Sequence, residues 1–381
     1  MFRWLKRGRD ADVRRLLEEG AGHAEHGRAD EAERAFNAAL AADPGNPYAL
    51  FNLGRIDFLR GRLPDARAHL TRALDRQPGF ADAHILLASA QEALGELAAA
   101  QASLESALRV QPDHEGALQN LGLLHVRMGD LLFAQGRFDD AGAHYGRAAA
   151  CRPSLAGAHA GQGQVHAVRH EPAEAARCFG RAIELDPHLV HVHVNLGNAL
   201  ANLGSTDEAR ASYDAALALD PENAAARWCR AVSVIPAIRE SADETQRSRA
   251  AFAREIAGLE TWFDATRAAR GAEVVGLRQP FWLAYQEERN ADLLGPYGRL
   301  CSRLMQASAG PDLRASPRPT DGRLRLAVVS RQFRRHSVWQ ALVRGWFEHL
   351  DPGRFELLAF SLGADADEET RYAKTRAARF E

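Results

Sequence analysis

No stretch of this 381-residue chain approaches the roughly 18 consecutive apolar residues that mark a membrane-spanning helix, so nothing is expected to cross a bilayer. The start, MFRWLKRGRDADVRRLLEEG, has no apolar core long enough for a signal peptide. Cysteine is scarce. Cys151, Cys178, Cys229 and Cys301 show no CxxC spacing, which argues against a zinc site or a disulfide framework and for a reducing compartment. Neither GxGxxG nor GxxxxGK[ST] occurs, so a phosphate-cradling glycine loop is missing. An excess charge of one sign is lacking too: 48 Lys and Arg against 50 Asp and Glu leave a formal charge of −2, too little to draw in nucleic acid or an anionic membrane. Basic residues are dispersed among acidic ones, which is not the pattern of a nucleic-acid surface. Arginine greatly outnumbers lysine, in keeping with the abundance of Ala and Gly. His188, His191 and His193 cluster, but only the first pair has helical-face spacing and no carboxylate or cysteine completes a set, so no metal is expected. No Ser-His-Asp arrangement can be argued. These absences lead to the expectation of a soluble cytoplasmic protein with neither nucleic acid nor membrane as a partner.

What the chain has is a period. Pro44, Pro78, Pro112, Pro153, Pro187 and Pro221 are spaced by 34 residues in four of five gaps, and the gap from Pro112 to Pro153 is 41. Self-similarity at a fixed period is the mark of a stacked repeat. With each proline numbered 32, position 20 is Ala32, Ala66, Ala100, Ala141, Ala175 and Ala209, and position 27 is Ala39, Ala73, Ala107, Ala148, Ala182 and Ala216. Position 8 is Gly20, Gly54, Ala88, Gly122, Gly163 and Gly197. Position 24 carries a bulkier Phe36, Leu70, Leu104, Tyr145, Phe179 and Tyr213. Small residues let two antiparallel helices approach, and the larger one fills the gap between neighbouring units. Gly27, Gly61, Gly95 and Gly204 stand at position 15, where a first helix must end and turn. Proline at 32 stops the second.

This pattern resembles the tetratricopeptide repeat (TPR) family over about residues 13–223, and implies an α-solenoid of six repeats behind a leader, residues 1–12. The fourth repeat is longer by seven residues, about two helical turns. Its segment VRMGDLLFAQGRFDDA reads with Gly129 and Gly136 as turn glycines. Stacked hairpins of this kind form a concave groove lined by first helices. Position 6 faces that groove and holds Asn52, Asn120 and Asn195, with Glu18, Leu86 and Gly161 at the other three equivalents. An amide both donates and accepts, so a row of them can hold a peptide backbone without reading its sequence. Equally, NLG is repeat consensus. TPR arrays of the O-GlcNAc transferase kind carry such an asparagine ladder, which here would be a broken one.

After Pro221 a seventh unit begins, AAARWCRAVSVIP, and loses the pattern. Residues 224–307 form a helical bridge, with one long helix expected over 238–270 from Phe252, Ile256, Leu259, Trp262 and Phe263 at helical spacing. A second helix is expected around 289–306. The aromatic stretch QPFWLAYQ before it favours interdomain packing over a ligand cage. Residues 308–322 are a linker punctuated by Pro and Gly. From 323 to 381 the period changes. LRLAVVS (324–330) fits a buried parallel strand. A helix with Val338, Leu342, Val343, Trp346, Phe347 and Leu350 on one side follows, then a second strand, FELLAFSL (355–362). This is a β-α-β unit, the opening of a doubly wound sheet.

The segment LRLAVVSRQFRRHSVWQALVRGWFEHLDPGRFELLAFSLG resembles the start of the catalytic region of the O-GlcNAc transferase / SPINDLY glycosyltransferase family. An upstream TPR array and a Q-P-F-x-L-A-Y-Q bridge match that family's bacterial members. The resemblance implies a partial Rossmann-like lobe of the GT-B type and catalysis involving His336, beside the acceptor and sugar rather than a metal. Gln332, Ser337 and Gln340 depart from the family's usual Asp, Pro and second His, and a surface or capping role for His336 competes. Arg334 and Arg335 read as exposed loop arginines. The implied donor is UDP-GlcNAc, or GDP-fucose as in the SPINDLY branch, with no further cofactor, and the implied acceptor is a protein or peptide in the TPR groove. A homodimer through the repeats is a further option. The lysine and histidines of the family's second lobe are not found in these residues, so this chain alone is expected to be inactive. Two functions stand: the amino-terminal part of a protein O-glycosyltransferase, or a non-catalytic TPR scaffold with a vestigial transferase domain.

Overall fold

The computed structural model describes residues 2–236, 241–286, 289–309, 322–330, 333–335, 339–362 and 366–381. The chain divides into two compact units, Met1–Ser308 and Ala309–Glu381.

The first unit opens with six helical hairpins. They pair α1 (Phe2–Glu25) with α2 (Ala29–Ala42), α3 (Pro47–Leu59) with α4 (Leu63–Arg76), and α5 (Ala81–Ala93) with α6 (Leu97–Val110). The next three pair α7 (Glu115–Ala134) with α8 (Phe138–Cys151), α9 (Ala156–Val168) with α10 (Pro172–Leu185), and α11 (Val190–Leu203) with α12 (Thr206–Leu219). Each repeat proline falls two residues past the end of a second helix, where its missing N–H costs the helix nothing. All twelve alanines at positions 20 and 27 have 0% exposure. A Cβ at Gly20 would come 2.7 Å from Phe36, one at Gly163 2.6 Å from Phe179 and one at Gly197 2.5 Å from Tyr213. The bulky residue at position 24 therefore closes its own hairpin first. Tyr145 also meets Gly161 of the next hairpin.

The seven extra residues all go into α7, which has 20 residues where α3, α5 and α9 have 13. Of the two expected turn glycines, only Gly136 turns, at φ +76°. Gly129 lies inside α7 with Tyr145 against it, 2.7 Å from where its Cβ would be, so it, and not Gly122, plays the close-contact part of position 8. The Tyr145 hydroxyl donates to Asp130 at 2.7 Å, as Tyr213 donates to Asn198 at 2.8 Å, both across 15 residues. Seven residues rotate a helix by nearly two whole turns and advance it by about 10.5 Å, so the stripe facing α8 is kept while the hairpin shifts along the axis.

The bridge is a second core. α13 (Ala224–Val232) starts like a seventh first helix, α14 (Ala242–Trp262) packs on it, and a short α15 (Ala268–Gly271) and α16 (Ala291–Ala309) follow. The long helix expected over 238–270 ends at Trp262, because Phe263 turns into the core at 0% exposure and the Asp264 carboxylate accepts from the backbone of Thr266 and Arg267. Trp228, Phe252, Ile256, Leu259, Leu283, Leu300 and Leu304 fill one cluster. Two arginine forks stitch it together. Arg249 donates to Gln286, Asn290 and the Arg289 carbonyl, and Arg303 donates to the Phe263 and Glu260 carbonyls.

The second unit is a parallel sheet in the order β1-β2-β3: β1 (Leu324–Ser330), β2 (Phe355–Ser361) and the short β3 (Arg379–Phe380). A π-helical turn (Trp339–Val343) leads into α17 (Arg344–His349) between the first two strands, and α18 (Glu368–Arg376) joins β2 to β3. The sequence reading stopped at one crossover; the second, through α18, lies in a segment with little apolar periodicity. It also placed Trp346 inward. The wider π turn resets the helix phase, so Trp339 is buried at 1% exposure and Trp346 stands half exposed. β1, read as buried, is covered on one face only: Val328 is buried while Ala327 and Val329, on the opposite face, are exposed. The sheet is compatible with the opening of a Rossmann-like lobe and is not by itself a GT-B lobe.

Candidate functional site

The first unit holds a cavity of about 750 Å³ between α9 and α11. α11 presents Asn195, Asn198 and Asn202 to it, spaced three and four residues apart, which puts them on one helix stripe. α9 contributes Gln164, Ala167 and Val168, and α7 contributes Phe133 at its end. Arg278 and Trp282 arrive from the bridge. Their segment is pinned by Trp228, whose indole N–H donates to the Arg278 carbonyl at 3.1 Å. The Arg278 guanidinium in turn donates to Asn202 at 3.3 Å.

His170, at the cavity edge, has φ +60° and is the single non-glycine residue with positive φ among the described residues. It stands at position 15, where the other five hairpins turn on Gly27, Gly61, Gly95, Gly136 and Gly204, at φ between +72° and +84°. A side chain in that region costs about 1–2 kcal/mol relative to glycine. Strain of this kind persists where the surroundings over-determine it, and it clusters at functional sites.

Asn195 lines the cavity, while Asn52 and Asn120 do not. Asn52, on α3, donates to the Tyr48 carbonyl of its own helix at 2.8 Å. Asn120 lies in the first half of α7, seven residues before Arg127, which occupies the position set by the Gly129–Tyr145 contact. The aromatic stretch expected to pack between domains leaves three of its rings at the surface. Phe281, Trp282 and Tyr285 are 56%, 36% and 60% exposed, with ring centroids 5.4 to 5.9 Å apart. Their short 3-10 turn sends Leu283 into the core and leaves the three rings outside. Arg278, Trp282, Asn198 and Gln164 were not singled out from sequence. The spacing of Asn195, Asn198 and Asn202 was the available signal.

In the second unit, described residues that follow β1 and β2 are joined by hydrogen bonds, and such folds place ligands beyond the carboxyl ends of their strands. His336, with Gln332 and Ser337, lies outside the described residues; Gln340 is exposed. Phe333 is a core anchor at 2% exposure, ringed by Trp339, Phe347 and Phe380. Asp367 accepts from the Arg335 backbone N–H at 2.7 Å, and this bond first of all holds its carboxyl below the usual range. The Thr370 hydroxyl donates to the Phe333 carbonyl. Among the described residues no His, Cys, Asp and Glu group could hold a metal ion, and no helix is long and apolar enough to cross a membrane.

A tetratricopeptide-repeat family model matches residues 17–79, 126–190, 160–224 and 194–233, and a second one matches 58–122. This chain is a tetratricopeptide-repeat protein. No curated protein matches it. Among solved structures, a crystal structure of MamA is 26% identical over 44% of this chain and 94% of its own, with a TM-score of 0.37. A mutant of the Thermobaculum terrenum O-GlcNAc transferase is 19% identical over 70% of this chain and 42% of its own, with a TM-score of 0.43. YrrB, described as a TPR protein with an unusual peptide-binding site, is 21% identical over 50% of this chain and 94% of its own, with a TM-score of 0.38. Scores this low carry no argument about function. The TPR array itself makes the first unit a protein-interaction scaffold.

Proposed function

We propose that the TPR groove holds an extended segment of a partner protein and that the following α/β unit is the opening of a nucleotide-sugar-dependent protein O-glycosyltransferase. The observation that carries the docking half is the amide-lined cavity between α9 and α11. Asn195, Asn198 and Gln164 supply donors and acceptors to a peptide backbone, and Phe133 and Trp282 supply apolar walls.

The transferase half rests on the sequence resemblance and on the order of parts, a TPR array followed by a parallel β-α-β-α-β sheet. In that reading GlcNAc passes from UDP-GlcNAc to a Ser or Thr hydroxyl of the docked protein, with His336 beside the acceptor; GDP-fucose is the alternative donor. A second reading is a docking scaffold with an inactive transferase remnant.

Calorimetry of this chain with UDP-GlcNAc, UDP and GDP-fucose tests the donor. Saturable binding of one sugar nucleotide supports the transferase reading, and no binding of any leaves docking alone. Replacing Asn52, Asn120 and Asn195 together by Ala should weaken peptide binding and leave the helical melt nearly unchanged. Unaltered binding would sink the asparagine row.

A further inference from the structure

We infer that the cavity between α9 and α11 selects a carboxylate on the docked segment, so that this end of the groove reads sequence where an asparagine row does not. The inference rests on the docking reading above. Its first support is charge. Arg278 is the one arginine or lysine lining the cavity, and no Asp or Glu lines it. Among the described residues the Arg278 side chain makes one hydrogen bond, the 3.3 Å bond to Asn202. A guanidinium has five donors in a fork that matches a carboxylate. Several arginines of this unit are met by acids, while Arg152 and Arg303 are met by amide, hydroxyl and carbonyl oxygens. Arg60 has Asp30 and Glu33, Arg230 has Asp214 and Glu255, and Arg267 has Glu222 and Asp264. What distinguishes Arg278 is that it faces an acid-free cavity with one amide oxygen as partner, which leaves guanidinium donors for an anion there.

The second support is preorganisation. The Arg278 backbone is tied to Trp228, which has 0% exposure, so the charge is placed by a rigid core and not by a free tail. The third is the neighbouring donor. Asn198 accepts from the Tyr213 hydroxyl through Oδ1, which leaves its amide N–H groups to donate. The strained His170 stands at the same rim. We take the carboxylate to be that of an Asp or Glu side chain within the docked segment.

Random dodecapeptides on an array, one set amidated and a matched set with free carboxyl ends, separate this source from a chain terminus when probed with the full chain. We expect Asp or Glu to be enriched at one position of captured amidated peptides. The Asn or Gln isostere should bind about tenfold weaker, as loss of a charge-assisted hydrogen bond implies. Arg278→Glu should erase the preference, and Arg278→Gln serves if the first variant melts early. Capture confined to the free-carboxyl set overturns the side-chain assignment in favour of a chain terminus. Peptides captured with no acidic preference in either set overturn the inference and leave the docking reading intact. Capture of no peptide overturns both.

Discussion

The repeat array and the bridge that follows it are both helical, yet one coheres through small residues at short range and the other through large ones at long range. In the array, alanines without exposure and ring-on-glycine contacts tie each helix to its own partner. Ion pairs such as Arg60–Asp30 and Arg169–Asp139 then link one hairpin to the next. In the bridge, Trp228 reaches residue 278, Arg249 reaches 286–290 and Arg303 reaches 260–263. A solenoid's stability is roughly a sum of units and their interfaces, so α7 could absorb seven extra residues without loss of register. The bridge has no such freedom, because each of its contacts closes a long loop.

Trp228→Ala is the strongest way to break this contrast. It should cost about 3–5 kcal/mol and free the 278–282 segment, seen as an early first transition in chemical denaturation with the amino-terminal hairpins intact. A single concerted loss of all helix would show that array and bridge are not separable. Acid comes next. Burial first, then His144 and Arg147, pull His125 down to about 4 from the usual 6.5. The unfolded chain therefore binds the extra proton between those values, so this stability is complete above about pH 6.5 and is lost as pH falls toward 4. The loss is of order 3 kcal/mol at most, and His125→Leu should flatten that part of a melting-temperature profile.

Gly129→Ala, which drives a Cβ into Tyr145, should destabilise by about 1–3 kcal/mol. Gly180→Ala, in a helix with nothing within 4 Å of the new Cβ, should stabilise by up to about 1 kcal/mol. Equal effects at both sites would refute the ring-on-glycine account. Smallest is His170→Gly, expected to gain about 1 kcal/mol in urea denaturation and to weaken peptide capture if the strain serves the site.

The hairpins were legible because each obeys a local rule repeated six times: a proline past one helix, a glycine at the turn, and alanines where helices touch. Gly129 was misread because a glycine in sequence looks the same whether it turns the chain or admits a ring. Trp346 was placed inward because the spacing assumed an α-helical phase, and the chain opens that helix with a π turn that buries Trp339 in its stead. Half of the cavity was likewise open to reading. Asn195 lies on the groove face of a recognisable repeat, and Asn198 and Asn202 follow it at helical spacing.

Arg278 and Trp282 were not, for they stand 76 residues or more from Asn202 and belong to no repeat. The sequence by itself determined the number of hairpins, their register and the type of groove, since contacts within 34 residues follow from periodicity. Only the tertiary structure decided that a buried tryptophan would bring a guanidinium over the last asparagines of that groove. Packing between distant segments leaves no period in a sequence, because it depends on the shapes that the folded helices present to one another.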